Sequence, residues 1–259
     1  MGELLIVGTG IMFPGQMTLE AADHIRDADC VFFNVGTHPL ATKWIKENSK
    51  ESHDLYQCYA EGKPREESYE EMVNLMVSSA EQGKTVVGVF YGHPGVFVGP
   101  GFQAIQECRD RDIPARMIPG VSSVDCMFSD LEFDPAQYGC VMLEATDYVL
   151  TNRTIDTTMP LILWQVGVVC VRDFSFSKSN DNVDLLKDRL LKDYRPDHPI
   201  ICYVASTLAG SRPQVQVGMI GSLELLDIHA SVTCLIRPSG AYDINKDSYE
   251  KYVSRLSVD

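Results

Sequence analysis

Between residues 56 and 69 the chain reads YQCYAEGKPREESY, which places Tyr56, Tyr59 and Tyr69 within reach of Arg65. Gly62-Lys63-Pro64 reads as the entry to a helix with Pro64 at its first position. Glu66 and Glu67 suit a first turn, where backbone N–H groups favour negative charge. Arg65 and Tyr69 are then four apart and share a face. A guanidinium beside a phenol favours the phenolate and draws an ordinary pKa of about 10 downward, which makes Tyr69 a base assisted by Arg65. Tyr56 and Tyr59, ahead of the turn, can orient a substrate or hydrogen-bond an oxygen on it. The plainer alternative is a solvated acidic helix whose tyrosines wedge between sheet and helix.

Three further segments carry ligand chemistry. VGTGIMFPG, residues 7–15, follows a strand, and its glycines allow either close approach to a ligand or a tight turn. It is not the dinucleotide fingerprint, because Phe13 stands at the third glycine position and Pro14 interrupts the helix start. TVVGVFYGHPGVFVGPG, residues 85–101, is a β-rich run that stops at Gly92-His93-Pro94-Gly95, where open α/β sheets bind ligands. His93 is a structural turn residue or a crevice residue. In PGVSSVDC, residues 119–126, Ser122 and Ser123 open a helix, where their hydroxyls cap it or face a ligand.

The elements that must position these groups alternate through the first 118 residues. Apolar runs at 3–7, 30–34, 54–56, 85–91 and 115–118 read as strands, with helical patterns at 18–28, 39–47, 66–82 and 102–111. That alternation requires parallel pairing with right-handed crossovers. A break near Pro119-Gly120 divides an N-terminal α/β domain (1–118) from a linker helix region (119–139), a C-terminal α/β domain (140–241) and a polar tail (242–259), helical from Asp247. Strands at 141–144, 161–166, 200–205, 214–220 and 232–236, with a helix at 183–193, give the second domain a mixed sheet.

The whole chain excludes several classes. Its 259 residues are 45% apolar, enough for a substantial core. A net charge of -14 repels polyphosphate, so nucleic acid is not an expected partner. No apolar run reaches the roughly 18 residues a spanning helix needs. The eight cysteines stand singly without a C-x-x-C pair, so no metal site is expected. Reduced thiols and a start without a basic, cleavable segment point to the cytoplasm.

Taken in register over residues 3–237, the glycine loop followed by TLEAADHIRDADCVFF, the G-x-P turn and P-G-V-S-S resemble the tetrapyrrole methylase superfamily. That resemblance implies a bilobal, dimeric fold binding S-adenosylmethionine (product S-adenosylhomocysteine) in the interdomain cleft. The porphyrin enzymes usually carry G-D-P at the fourth-strand turn, where this chain has YGHPGVFV. With LYQCYAEGKPREESYEEM upstream and LEATDYVL and ILWQVGVV downstream, the chain is similar to the borosin peptide backbone α-N-methyltransferases.

The resemblance implies catalytic roles for Arg65 and Tyr69, with Tyr56 and Tyr59 supporting them. It implies cofactor contacts at Tyr91, His93, Val96, Ser122, Ser123, Gln165, Ala205, Thr233 and Cys234. The fungal members carry their acceptor peptide as a C-terminal extension. This sequence ends at Asp259 without one, so the expectation is a split enzyme acting in trans on a precursor peptide. A homodimer is expected, extending to a heterotetramer with two precursor chains. Two other readings stand beside it: methylation of a tetrapyrrole carbon, and a non-catalytic peptide-binding scaffold.

Overall fold

The computed structural model describes residues 2–36, 38–175 and 182–239, with Lys246 and Ser248 beyond them. The rest of the expected tail, 242–259, lies outside the described residues. In the first half, β1 (Glu3–Gly8), α1 (Leu19–Asp27), β2 (Cys30–Asn34), α2 (Pro39–Asn48), β3 (Ser52–Asp54), α3 (Arg65–Glu81), β4 (Thr85–Phe90), α4 (Gly99–Asp110) and β5 (Ala115–Met117) alternate strictly. The strands form one parallel sheet in the order β3-β2-β4-β1-β5.

Strand alternation sorts the core into two layers. Leu4 and Ile6 pack against Met72 and Met76 of α3 and Ala104 and Cys108 of α4. Leu5 and Val7 face the opposite way, onto Ile25 of α1 and Ile45 of α2. Both faces are therefore covered, which is why these strands read as continuous apolar runs. Met72 and Met76 are wholly buried, each worth roughly 1.5–3 kcal/mol of transfer free energy. Thr18 Oγ1 accepts from the Ala21 amide and caps α1.

The second half continues with α5 (Ser123–Asp130), α6 (Pro135–Tyr138), β6 (Val141–Glu144), α7 (Ala145–Leu150), β7 (Leu161–Trp164), α8 (Val183–Leu190), β8 (Pro199–Val204), β9 (Gln214–Met219) and β10 (Thr233–Ile236). The sheet order is β6-β7-β10-β8-β9, with β6 parallel to β7 and the other pairs antiparallel, so the sheet is mixed. One face is covered by α7 and α8 around Tyr148, Leu186 and Leu190. The other meets the first half: Ile11, Cys126 and Met127 share a core with Ile162, Trp164, Tyr203 and Leu235.

Two expectations are corrected. The third strand is Ser52–Asp54 rather than 54–56, because Asp54 accepts from the Tyr56 amide and starts a 3-10 turn over Leu55–Cys58. Pro64 is the N-cap of α3, not its first helical residue; its ψ of 135° keeps it extended, paired with Asp173. The short helices α6 and α7 were not expected from the sequence. All eight cysteines are free.

Candidate functional site

The carboxyl ends of β1, β2 and β4 face the second sheet across a cleft of about 770 Å³, within the usual range of small-molecule sites. The glycine loop forms its floor through Ile11 and closes against the turn after β4. A Cβ at Gly8 would lie 2.0 Å from the Gly92 carbonyl oxygen, and Gly10 and Gly92 exchange backbone hydrogen bonds of 3.3 and 3.0 Å. These glycines therefore serve a tight approach between two turns. Gln16 Oε1 accepts from the amides of Ile11 and Met12, which fixes the rest of the loop.

Tyr91, His93 and Val96 line the cleft from the turn after β4. His93 Nδ1 accepts from the Gly95 amide at 2.9 Å, so its neutral ring carries the proton on Nε2. Burial pushes the Tyr91 phenol up to about 12, which keeps it a neutral donor. Ser122 and Ser123 line the cleft at the start of α5. Ser122 Oγ accepts from the Val124 amide, and Asp125 accepts from the Ser122 amide, closing a capping box. The Ser122 hydroxyl thus holds the helix.

From the second half, Gln165, Ala205 and Thr233 reach the same cleft. Gln165 is left-handed at φ 57°, and so is Phe97 across from it at φ 58°. Phe97 packs on Trp164 with ring centroids 5.2 Å apart. Two non-glycine residues in this sparsely populated region on facing walls mark a constrained site. Cys234 is different. It follows Thr233 on β10, so its side chain points to the opposite face, where its sulfur lies 3.5 Å from Cys202 within the α7–α8 core. A ligand in the cleft cannot meet its thiol.

Tyr56, Tyr59 and Tyr69 line the first-domain wall. Tyr59 lies edge-on to both others, at 5.7 Å from Tyr56 and 6.4 Å from Tyr69. Burial, then the neighbouring Tyr69, pushes the Tyr59 phenol well above the ordinary tyrosine value; hydrogen bonding with Asn34 and the charge of Arg65 pull against them. Tyr59 is thus held as a protonated phenol. Arg65 does not line the cleft. Its guanidinium donates to the Val171 carbonyl at 2.7 Å, and its charge is felt at Tyr59.

Sequence reasoning missed Asn34, His38 and Thr207. His38 caps α2 by accepting from the Ala41 amide at Nδ1, so its Nε2–H donates to the Thr207 carbonyl at 3.0 Å and ties the two cleft walls together. A histidine just before Pro39 at a helix start was the available signal. Among the described lining residues there is no Lys, Arg, Asp or Glu, so the cleft is aromatic and uncharged apart from its histidines.

Cys30, Glu51 and His53 bring possible metal-donor atoms within 4.8 Å of one another, but none of them lines the cleft. Glu51 is already paired with Lys84 and His53, and burial pushes the Cys30 thiol up to about 11. A second cavity of about 560 Å³ beside β3 contains none of the expected site residues.

A parallel sheet whose carboxyl edge, capped by a glycine turn and a His-Pro turn, faces a mixed sheet across an uncharged cleft defines a bilobal α/β protein built to hold one small ligand between its halves. The family model of tetrapyrrole (corrin/porphyrin) methylases matches residues 3–223, and the chain belongs to that family.

Solved structures of uroporphyrin-III C-methyltransferase from Thermus thermophilus share the fold. One has a TM-score of 0.67 at 20% identity, covering 92% of this chain and 95% of that one. The complex with S-adenosylhomocysteine has 0.62 at 14%, covering 91% and 92%.

Closer in sequence is the methyltransferase/ribosomally synthesized cyclic peptide dendrothelin A precursor of Dendrothele bispora, 42% identical over 95% of this chain and 60% of the relative. The methyltransferase/ribosomally synthesized type III borosin cyclic peptide precursor of Anomoporia bombycina is 46% identical over 81% of this chain and 24% of the relative. The chain thus spans less than two thirds of the length of these curated relatives.

Proposed function

We propose that this chain transfers the methyl group of S-adenosylmethionine to backbone amide nitrogens of a precursor peptide. The observation that carries the reading is an uncharged, aromatic-walled cleft with the Tyr59–Tyr69 pair on one side and the His93 turn on the other. A sulfonium suits aromatic faces and meets no cationic side chain among the described lining residues. A porphyrin, with its acid side chains, calls for basic partners that this lining does not supply. The names of the relatives, each both methyltransferase and cyclic peptide precursor, support a peptide as acceptor.

An amide nitrogen is a poor nucleophile because its lone pair is delocalised onto the carbonyl. In this proposal Tyr69 enters the step as its phenolate and takes the N–H proton, becoming a neutral phenol, while Tyr59, protonated, donates to the oxygen on which charge develops. The nitrogen then attacks the methyl carbon as the carbon–sulfur bond breaks, leaving an N-methyl amide and a neutral thioether. Anion and cation annihilate each other, so a cleft with few fixed charges favours the step. Tyr91, Val96 and Ser123 on one wall and Gln165, Ala205 and Thr233 on the other hold the cofactor. Bound there, it supplies the methyl group.

The test is incubation with S-adenosylmethionine and a separate precursor peptide, followed by tandem mass spectrometry. One methylene mass per transfer, on backbone nitrogens, is the expected result. Tyr69→Phe lowers turnover by about 10²–10⁴-fold. Methylation confined to side chains, or full activity in Tyr69→Phe, refutes it. The active species in this proposal is a homodimer, supported by the exposed face of edge strand β9 with Val215, Val217 and Met219; light scattering reads twice the chain mass, and Val217→Lys reduces it to one.

A further inference from the structure

The loop that carries the phenols does not stand on its own domain. Residues 171–175, from the second half, lie along residues 61–65 as an antiparallel strap. The Gly62 amide donates to the Phe174 carbonyl and the Phe174 amide to the Lys63 carbonyl, both at 2.9 Å, with Pro64 bridged to Asp173 next to them. Arg65 donates to Val171 and Ser175 donates to Glu61, each at 2.7 Å. The strap delivers one aromatic ring. Phe174 stacks on Tyr59 with centroids 4.5 Å apart and planes 15° apart, while standing edge-on to Tyr56 at 6.2 Å.

We propose that Phe174 is a positioning residue for the reaction: supplied by the second domain, its ring fixes the plane of Tyr59 and, through Tyr59, the placing of the Tyr69 phenol. The inference rests on Tyr69 as the proton acceptor. Tyr59 has edge contacts with Tyr56 and Tyr69, and edges restrain tilt weakly. Phe174 provides its face contact. Removing that face lets the Tyr59 ring swing and admits water beside its hydroxyl. Because the Tyr59 ring lies edge-on against Tyr69 with centroids 6.4 Å apart, the displacement reaches the base. A misplacement on the order of 1 Å costs about 10²-fold in an oriented reaction.

The strap also explains a feature the cleft alone does not. Arg65 spends its close contact on the Val171 carbonyl rather than on a phenol, so the guanidinium is the pin that joins strap to loop. Phe174 and Arg65 then act as one unit: the pin brings the strap into register, and the ring orients the phenol pair.

The experiment measures kcat, KM for S-adenosylmethionine, S-adenosylhomocysteine affinity and melting temperature for Phe174→Ala, Phe174→Leu, Phe174→Tyr and Tyr69→Phe. Phe174→Ala and Phe174→Leu are expected to lose roughly 10- to 100-fold in kcat, with KM and cofactor affinity within about 2-fold of the parent. Phe174→Tyr, which keeps the flat face, restores the parent rate. The pH profile separates positioning from simple folding: without the covering ring Tyr59 ionises nearer its ordinary value, and Phe174→Ala acquires an alkaline decline absent from the parent.

Parent kcat in both Phe174→Ala and Phe174→Leu, with Tyr69→Phe inactive, overturns the inference and leaves the proposed function standing. Activity in Tyr69→Phe overturns the proposed function itself. Loss of cofactor affinity and melting temperature in step with kcat, unrescued by Phe174→Tyr, assigns the ring to the fold and also overturns the inference.

Discussion

Replacing Gly8 by Ala puts the glycine turn under a defined load. The new Cβ would meet the Gly92 carbonyl oxygen at 2.0 Å and Pro94 Cδ at 2.8 Å, whereas real Cβ contacts essentially never fall below 3.0 Å. The ends of β1 and β4 must therefore part by about 1 Å, the difference between the 3.0 Å limit and the 2.0 Å contact. The obstacle is a backbone carbonyl, not the end of a flexible side chain, and Gly120 sits against the same oxygen. Overpacking of this kind costs about 1–3 kcal/mol. At about 2–4 °C per kcal/mol for a chain near this size, the melting temperature falls by roughly 2–12 °C.

The larger effect is functional, because the turn that moves carries His93 and leads to Val96. On the proposed placing of the cofactor, a 1 Å shift of this wall lowers the affinity for S-adenosylhomocysteine by roughly 10- to 100-fold. Isothermal titration calorimetry reads the affinity and scanning calorimetry the stability. Gly83→Ala is the control: at φ +89° with nothing within 4 Å, it costs about 1–2 kcal/mol in backbone strain and leaves cofactor affinity unchanged. Parental affinity in Gly8→Ala, within a factor of about two, refutes the view that mutual backbone contact of the two turns builds the site.

Other expectations concern the second half and the joint between halves. Arg189→Ala strips a nearly buried guanidinium from Asp193, the Arg153 carbonyl and the Tyr148 ring, and lowers stability by about 3 kcal/mol in urea melts. Tyr203→Phe removes a 2.6 Å hydrogen bond to Asp130 that ties β8 to α5, at a cost of about 1.5–3 kcal/mol read the same way. Burial pushes Tyr91 and Tyr194 from 10.0 to about 12, so the folded chain keeps protons that the unfolded chain releases. Stability present below about pH 10 is therefore lost as pH rises toward 12, and urea midpoints stay level to about pH 10 and then fall. Midpoints unchanged above that pH contradict the burial argument.

Much of the first half was legible because its strands are covered on both faces. The runs at 3–7, 30–34 and 85–91 differ from β1, β2 and β4 by at most one residue at an end. β3 was not legible: Ser-His-Asp at a sheet edge carries no apolar signature, and the buried residue nearby, Leu55, belongs to the 3-10 turn that follows. In the second half α6 and α7 span only four and six residues, too short for a helical period to register.

At the site, motif order brought Tyr59, Tyr69, His93, Ser122 and Thr233 to one cleft. Strand period could have separated Thr233 from Cys234, since neighbours on a strand face opposite sides. Arg65 illustrates the opposite difficulty. A four-residue spacing places it beside Tyr69, but its carbonyl acceptor lies 106 residues away, and no local pattern announces such a partner.

The hydrophobic joint formed by Ile11, Met127, Trp164, Tyr203 and Leu235 has a bearing on evolution and engineering. A residue of the glycine loop is walled in by side chains from the other lobe, so the floor of the cleft is common property of both lobes. Grafting a foreign C-terminal lobe onto this N-terminal one would disturb the cleft floor even if every lining residue were retained. The 171–175 strap is a separate joint: it touches the phenol wall through Phe174 and stays clear of that floor.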